Sequence, residues 1–170
     1  MAYSVELDDA TQSIITMQLF ENVKNTSELR KKAMSGKLEC CLIKSNLIFD
    51  PFQVVVAANK ALTHKKRTTK SNYTEILFNL SLSSNITQSL QTFGVADSDT
   101  NILVVVISKK NDTDSAKEIF SEIDGDILDI SELSCINDRL AIKKLYKISD
   151  VEYHNIDLLD SIVSRIATKD

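Results

Sequence analysis

The side chains that most often catalyse reactions or bind metals are few and scattered in this 170-residue sequence. There are two histidines, His64 and His154, which lie in separate segments, and three cysteines. Cys40 and Cys41 are adjacent, so the cysteines form no C-x-x-C pair and read as free thiols of a reducing compartment. We therefore expect no metal site and no cofactor.

Motifs that bind phosphate or activate a nucleophile are also missing. The sequence contains no G-x-G-x-x-G, no P-loop and no G-x-S-x-G, and the Gly36-Lys37 pair lacks the loop that would surround a phosphate. Acidic neighbours such as Asp8 and Asp9 fall in expected loops. The sequence thus predicts a protein that is not an enzyme, although catalytic groups can also converge from distant positions.

Positive charge is concentrated in the segment 63–70, THKKRTTK, which includes Lys65, Lys66 and Arg67. The whole chain carries a formal net charge of −4, which argues against a general nucleic-acid binder. Two interpretations fit the segment. It is an ordinary solubilising surface, or it contacts an RNA backbone locally, with Tyr73 as the nearest aromatic residue.

The elements around this segment are predicted by strong local signals. Asp50 followed by Pro51 is a typical helix start, and the apolar run after it predicts a buried central helix over 52–62. Asn59 lies on that helix and needs partners, either from a neighbouring loop or from a ligand. Alternating apolar residues predict a strand over 74–82, and Asn85 begins a second helix that ends at Gly94.

The rest of the chain completes an α+β fold in a single domain, residues 1–170. We expect a small mixed sheet from the segments 13–20, 74–82, 101–107 and 126–130, backed by helices. Residues 38–43 are expected to be weakly helical or irregular. No apolar run approaches the roughly 20 residues of a membrane span, so we expect no membrane contact.

A final helix beginning near Asn155 places its apolar residues on an arc of about 160°, wider than one neighbouring helix covers. Part of that arc is therefore either packed in the core or left exposed at the surface as an interface. The apolar residues of this arc are Ile156, Leu158, Leu159, Ile162, Val163 and Ile166.

Several segments together resemble a known family. The runs DPFQVVVAANKA, TEILFNLS, ILVVVI and the terminal LLDSIVSRIATKD, in this order and spacing, are similar to those of the PRPK-binding (TPRKB) family. Members of this family are the small kinase-binding subunits of the KEOPS/EKC complex. The resemblance covers most of the chain and includes no catalytic signature.

The resemblance implies a non-catalytic adaptor that binds the small atypical kinase/ATPase of the complex directly and the other subunits indirectly. It implies support for threonylcarbamoyladenosine (t6A) modification of tRNA, contact with the tRNA 3′ CCA end, and location in the nucleus and cytoplasm. The matching terminal-helix residues, expected at the kinase interface, are Leu158, Leu159, Ile162, Val163, Arg165 and Ile166. The candidate tRNA contacts are Asn59, Lys60, Lys65, Lys66, Arg67, Asn79, Ser81 and Asn85.

An alternative of another class is a small α/β enzyme or metabolite-binding protein. Its pocket would lie near Asn59 and Asn79, two amides in the family-like block. A deep pocket with converging titratable groups would favour this alternative, whereas a flat apolar patch at the C-terminus would favour the adaptor.

Overall fold

The computed structural model describes residues 2–112 and 114–169. The strands are β1 (Tyr3–Glu6), β2 (Ser13–Glu21), β3 (Cys41–Lys44), β4 (Ile102–Lys109) and β5 (Asp126–Leu128). The helices are α1 (Thr26–Met34), α2 (Pro51–Thr63), α3 (Asn72–Leu80), α4 (Ile86–Phe93), α5 (Ser115–Ser121), α6 (Leu133–Ile136), α7 (Arg139–Leu145), α8 (Asp150–Asn155) and α9 (Leu158–Thr168). The α+β class predicted from the sequence is confirmed.

The sheet has the strand order β1-β2-β4-β3, with β5 pairing on β2 beyond the end of β1. Every pair between these strands is antiparallel, so the expectation of a mixed sheet is wrong. β4 lies inside the sheet, and its residues 102–106 are almost completely buried, as its continuous apolar run predicts. One face of the sheet packs against a large core that includes α2, α3 and α9, and the other against α1 and α5.

The buried helix predicted after Asp50 is confirmed as α2. The Asp50 carboxylate accepts a hydrogen bond from the Phe52 N–H at 2.9 Å, and Pro51 occupies the first turn, where no donor is needed. Val54, Ala57 and Ala58 have no exposed surface. Small residues let α2 lie close to its neighbours, which makes it the centre of the larger core.

The strand predicted over 74–82 is wrong, because these residues belong to the helix α3. Ser71 and Thr74 form a reciprocal capping box that starts the helix before the apolar residues begin. Ile76 and Leu80, four residues apart, are both fully buried on one helical face. The apolar residues of this segment fit the two-residue period of a strand as well as the 3.6-residue period of a helix. The capping box is the signal that favours the helix.

Residues 38–43 were expected to be weakly helical or irregular, but β3 begins at Cys41 and pairs with β4. β3 pairs with β4 only as far as Cys41, which lies opposite Val105. The next peptide groups of β4 that face this edge belong to Ile107, beyond the paired residues of β3. The Tyr73 hydroxyl accepts a hydrogen bond from the Ile107 N–H at 3.1 Å and donates to its carbonyl at 3.3 Å. One side chain from α3 thus takes the place of a missing strand partner.

Candidate interaction sites

The predicted kinase contacts on α9 are divided between the core and the surface. Ile162 and Ile166 are fully buried and Leu158 is nearly so, within the core that also contains α2. These three positions therefore stabilise the isolated chain. The resemblance placed all three at the kinase interface, but in the folded chain α2 covers this side of the helix.

The remaining apolar residues of the C-terminal segment are not covered in the same way. Leu159 and Val163 are half-buried on α9. Val151 on α8 and Ile156 in the connection are exposed, at 73% and 51% of their surface. We refer to these four as the C-terminal apolar residues. Leu159 and Val163 belong to the predicted interface, and Val151 and Ile156 add two exposed apolar residues that were not predicted there.

Arg165, also predicted at the interface, holds α8 against α9. Its guanidinium donates to both oxygens of Glu152, at 2.7 and 2.6 Å, and further to the carbonyls of Ser161 and Lys147. The hydrogen bonds from Arg165 hold the pKa of Glu152 at about 2. A bidentate pair of this kind fixes orientation as well as distance, so Arg165 positions the C-terminal apolar residues of α8 relative to those of α9.

Two lysines fasten the end of α9. The Lys60 ammonium on α2 donates to the carbonyls of Ile166, at 3.0 Å, and of Lys169. The Lys169 ammonium donates to the carbonyls of Phe78 and Ser81 and lies 3.6 Å from the centre of the Phe78 ring. Burial, and then the charge of Lys60, lower the pKa of Lys169 to about 8. Cations at carbonyl ends of helices are favourably placed.

The polar residues predicted to line an RNA or metabolite site around α2 and α3 serve the fold instead. Asn59 accepts a hydrogen bond from the Asp8 N–H, and the buried Asn79 donates to the carbonyl of Ala57. Ser81 is buried, and its hydroxyl accepts the Ser83 N–H. Asn85 caps α4 through the Gln88 N–H and is itself exposed. The first three are therefore poor candidates for contact with RNA.

The basic loop, residues 64–70, keeps its charges at the surface. Lys65 and Lys66 are exposed and make no hydrogen bond or ion pair within the described part of the chain. Arg67 is also exposed and donates to the Asn72 side chain at 3.1 Å. Lys70 is exposed at the other end of the loop. Of the candidate tRNA contacts, those on this loop have cations available for an anionic ligand.

A buried acid beneath this loop was not predicted from the sequence. Glu75, 4% exposed, accepts hydrogen bonds from the N–H groups of Thr68, at 3.1 and 3.2 Å, and of Thr69, at 2.9 Å. It also accepts the Thr69 hydroxyl at 2.8 Å. The signal in the sequence is a single acid in the first turn of a helix that follows a basic run, since first-turn acids favour helix N-termini.

An open groove of about 970 Å³ lies beside β3, between the end of α1 on one side and α3 and α4 on the other. We refer to it as the edge groove. Its apolar lining includes Leu42, Leu77 and Leu90, and Arg67 and Lys70 bring two cations of the basic loop to it. Neither Asn59 nor Asn79 lines it, so the pocket expected from those two residues is not the one that the fold forms.

Three titratable groups on the lining of the edge groove, the thiols of Cys40 and Cys41 and the phenol of Tyr73, favour their neutral forms. Burial raises the pKa of Cys40 and that of Tyr73 to about 12, and it raises the pKa of Cys41 as well. A thiol nucleophile needs the opposite shift. The groove therefore offers an apolar surface with a cationic rim and does not favour the alternative of an enzyme with an activated nucleophile.

Residues 2–112 and 114–169 contain no group of three His, Cys, Asp or Glu side chains arranged to hold a metal ion. In the same residues, no helix combines the length and apolar character that crossing a bilayer requires.

Comparison with known proteins shows where this arrangement belongs. The family described as kinase binding protein CGI-121 matches residues 20–170, from the end of β2 onward. The chain belongs to the CGI-121 family. The match includes α9, the basic loop and the edge groove, while β1 and most of β2 precede it.

Relatives of this CGI-121 family chain carry consistent names. The chain is 43% identical over 159 residues to a zebrafish (Danio rerio) protein named EKC/KEOPS complex subunit TPRKB, covering 92% of this chain and 91% of the relative. It is 30% identical to the cgi121 subunit of the same complex in Aspergillus fumigatus, covering 91% and 89% of the two chains. It is 32% identical to the CGI121 subunit of Kluyveromyces lactis over 76% of this chain and 83% of the relative.

Proposed function

We propose that this chain is a non-catalytic subunit of an EKC/KEOPS complex that binds the small atypical kinase/ATPase of that complex. The observation that carries the proposal is the division of α9, whose one side is packed in the core while apolar residues on another side remain accessible. The family description names kinase binding, and the relatives are named as subunits of the complex. Through the complex, the chain would support t6A modification of tRNA in the nucleus and cytoplasm.

The C-terminal apolar residues are the proposed docking surface for the kinase. Contiguous exposed apolar surface on a folded protein marks an interaction site, and the Arg165–Glu152 pair fixes the two helices that carry it. Leu159 and Val163 are the proposed anchors, since half-buried residues lose little mobility when a partner covers them.

The test is the exchange Val163→Asp, with Ser164→Asp as its matched control. Both variants add one negative charge to the middle of α9, but Ser164 is exposed and belongs to the polar side. Val163→Asp should weaken kinase capture by about 2 kcal/mol or more, roughly 30-fold, while Ser164→Asp leaves it unchanged. Thermal unfolding of both variants controls for folding, and equal kinase capture by the two would remove this surface from the interface.

We further propose that the basic loop contacts tRNA and that the edge groove beside it receives the 3′ CCA end. The support is the combination of exposed cations at Lys65 and Lys66 with an open apolar groove that Arg67 and Lys70 line. Cations neutralise phosphates, whereas apolar and aromatic surfaces accept unpaired bases. The net charge of −4 favours a local contact over binding through a broad basic surface.

Changing Lys65, Lys66 and Arg67 together to Ala tests the RNA contact. The variant should retain tRNA more weakly, and the slope of log K against log salt should fall by about 2 to 3, because that slope counts neutralised phosphates. Substituting Lys24, Lys31 and Lys37 by Ala removes the same charge elsewhere and should leave the slope unchanged. Binding of tRNA with its 3′ CCA removed should also be weaker, and equal binding would exclude the groove as the CCA site.

A further inference from the structure

The buried Glu75 carboxylate is an unusual neighbour for a loop proposed to bind a polyanion. It carries negative charge, and it lies among backbone groups that connect Arg67 to Lys70. Electrostatics alone would make such an acid unfavourable for RNA binding, because it repels phosphate. A favourable effect of Glu75 on RNA binding must therefore come from something other than its charge.

The hydrogen bonds of Glu75 supply that effect. A buried carboxylate is costly unless donors surround it, and Glu75 receives the N–H of Thr68, the N–H of Thr69 and the Thr69 hydroxyl. All three donors belong to two consecutive loop residues. The carboxylate therefore fixes the backbone of Thr68 and Thr69, a stretch that would otherwise be free to sample many conformations.

Thr68 and Thr69 lie directly between the two cations that the basic loop brings to the edge groove. Arg67 precedes Thr68 and Lys70 follows Thr69, so the positions of both α-carbons depend on the backbone that Glu75 holds. Thr69 also contacts Thr74 of the α3 capping box, at 2.9 Å between hydroxyl oxygens. The loop is thus attached to the first turn of α3.

We infer that Glu75 is a positioning residue for RNA binding: it gives the basic loop a fixed shape before RNA arrives, and this outweighs the repulsion of its charge. The inference rests on the proposed RNA contact and adds a determinant that touches no RNA. A loop that is already ordered loses less conformational entropy on binding. Removing the acid would relieve its repulsion of phosphate, which strengthens RNA binding, but would also release the loop, which weakens RNA binding. The direction of the change in affinity therefore tests the inference.

Glu75→Gln removes the charge and retains the size of the side chain. We expect tRNA affinity of the full-length chain to fall about 3- to 10-fold, as for loss of a preorganised loop, with the salt slope unchanged because no cation is lost. Amide hydrogen exchange at Thr68 and Thr69 should accelerate. Tighter or unchanged tRNA binding by Glu75→Gln would overturn the role, and so would unchanged exchange at the two amides.

Glu39→Gln is the matched control. Glu39 also lines the edge groove, is exposed, and makes no hydrogen bond or ion pair within residues 2–112 and 114–169. Removing its charge should leave amide exchange at Thr68 and Thr69 unchanged and should tighten tRNA binding or leave it unaltered. A loss of affinity equal to that of Glu75→Gln would show that the charge, not the anchored loop, is responsible, and would overturn the inference.

Two further measurements keep the result interpretable. Thr69→Val removes the hydroxyl that donates to Glu75 and accepts from Thr74, and it leaves both backbone donors in place. It should shift affinity and exchange in the same direction as Glu75→Gln by a smaller factor, and it replaces Glu75→Gln in the test if that variant does not fold. Glu75 also acts on the pKa of Lys169, so kinase capture is measured with the same variant and should be unchanged. If the wild-type chain retains no tRNA, the proposed RNA contact falls together with this role, whereas a wild-type chain that binds while Glu75→Gln binds equally well overturns the role alone.

Discussion

The C-terminal helix and the basic loop are both proposed contact regions, and they are built in opposite ways. α9 gives much of its apolar side, including Ile162 and Ile166, to the core of its own chain. The basic loop gives backbone groups to the fold through Glu75 and leaves the side chains of Lys65 and Lys66 in solvent. One region shares its side chains between stability and recognition, whereas the other separates the two roles.

This difference has a practical consequence for mutagenesis. In α9 a substitution can remove a contact with the partner or destabilise the chain, and adjacent positions differ in which effect dominates. In the basic loop, side-chain changes should alter binding with little effect on folding, because surface substitutions away from packed features are close to neutral. Changes to the backbone anchor Glu75 should instead alter the order of the loop and, through it, RNA binding.

The largest expected effect tests the packed side of α9. Ile162→Ala should reduce the free energy of unfolding by about 2 to 5 kcal/mol, because a fully buried side chain is lost and a cavity remains. Val163→Ala, one residue on and half-buried, should cost under about 1 kcal/mol. Urea denaturation measures both, and equal losses would show that the two sides of the helix are not distinct.

A second pair of variants compares Lys60, at the end of α2, with Lys65 in the basic loop that follows. Lys60→Met keeps the aliphatic stem but removes the donor to the carbonyls at the end of α9, and it should cost about 1 to 3 kcal/mol of stability. Lys65→Met should change stability by less than about 0.5 kcal/mol but weaken tRNA binding. If Lys60→Met proves neutral in denaturation, the fastening of α9 is not structural.

Two asparagines allow the same comparison with smaller changes. Asn79→Ala removes the buried amide that donates to the Ala57 carbonyl and should cost about 1 to 3 kcal/mol. Asn85→Ala removes the cap of α4, for which about 1 kcal/mol is typical. Thermal unfolding ranks the two variants. An Asn79 variant of full stability and impaired tRNA binding would instead restore this residue to the RNA site.

The smallest effect concerns acid pH. Because Arg165 holds the pKa of Glu152 at about 2, below its ordinary value of 4.5, the pair stabilises the fold fully above pH 4.5. That contribution is lost as the pH falls from 4.5 towards 2, where the folded state also takes up the proton. Glu152→Gln should therefore show a shallower loss of stability over this range. Identical pH profiles for the two chains would mean that the pair does not brace α8.

Elements with a single strong local signal were predictable from the sequence. The cap at Asp50 and the continuous apolar run in β4 each identify one structure. α3 was mispredicted because Ile76, Phe78 and Leu80 fit a strand as well as a helix, and only the Ser71 cap separates the two. The sequence identifies the apolar residues of such a segment, but their spacing does not always distinguish the period of a strand from that of a helix.

The roles of individual site residues depended on partners far away in the sequence. Lys60 contacts carbonyls at Ile166 and Lys169, and Asn79 contacts Ala57. No local sequence pattern encodes these pairs. The sequence therefore does not distinguish a polar side chain that bonds within the fold from one that is available to a ligand. The family resemblance indicated these regions as a block, and the structure divides their residues into those packed within the fold and those exposed at the surface.

The Tyr73 hydroxyl at Ile107 has a consequence for how the molecule behaves in a crowded solution. Unpaired peptide groups along a strand invite another chain to add on and begin an aggregate. A phenol that occupies both groups closes this part of the sheet at the cost of one side chain and leaves the space beside it open. The chain can therefore keep an accessible groove at the margin of its sheet without offering a template for uncontrolled self-association.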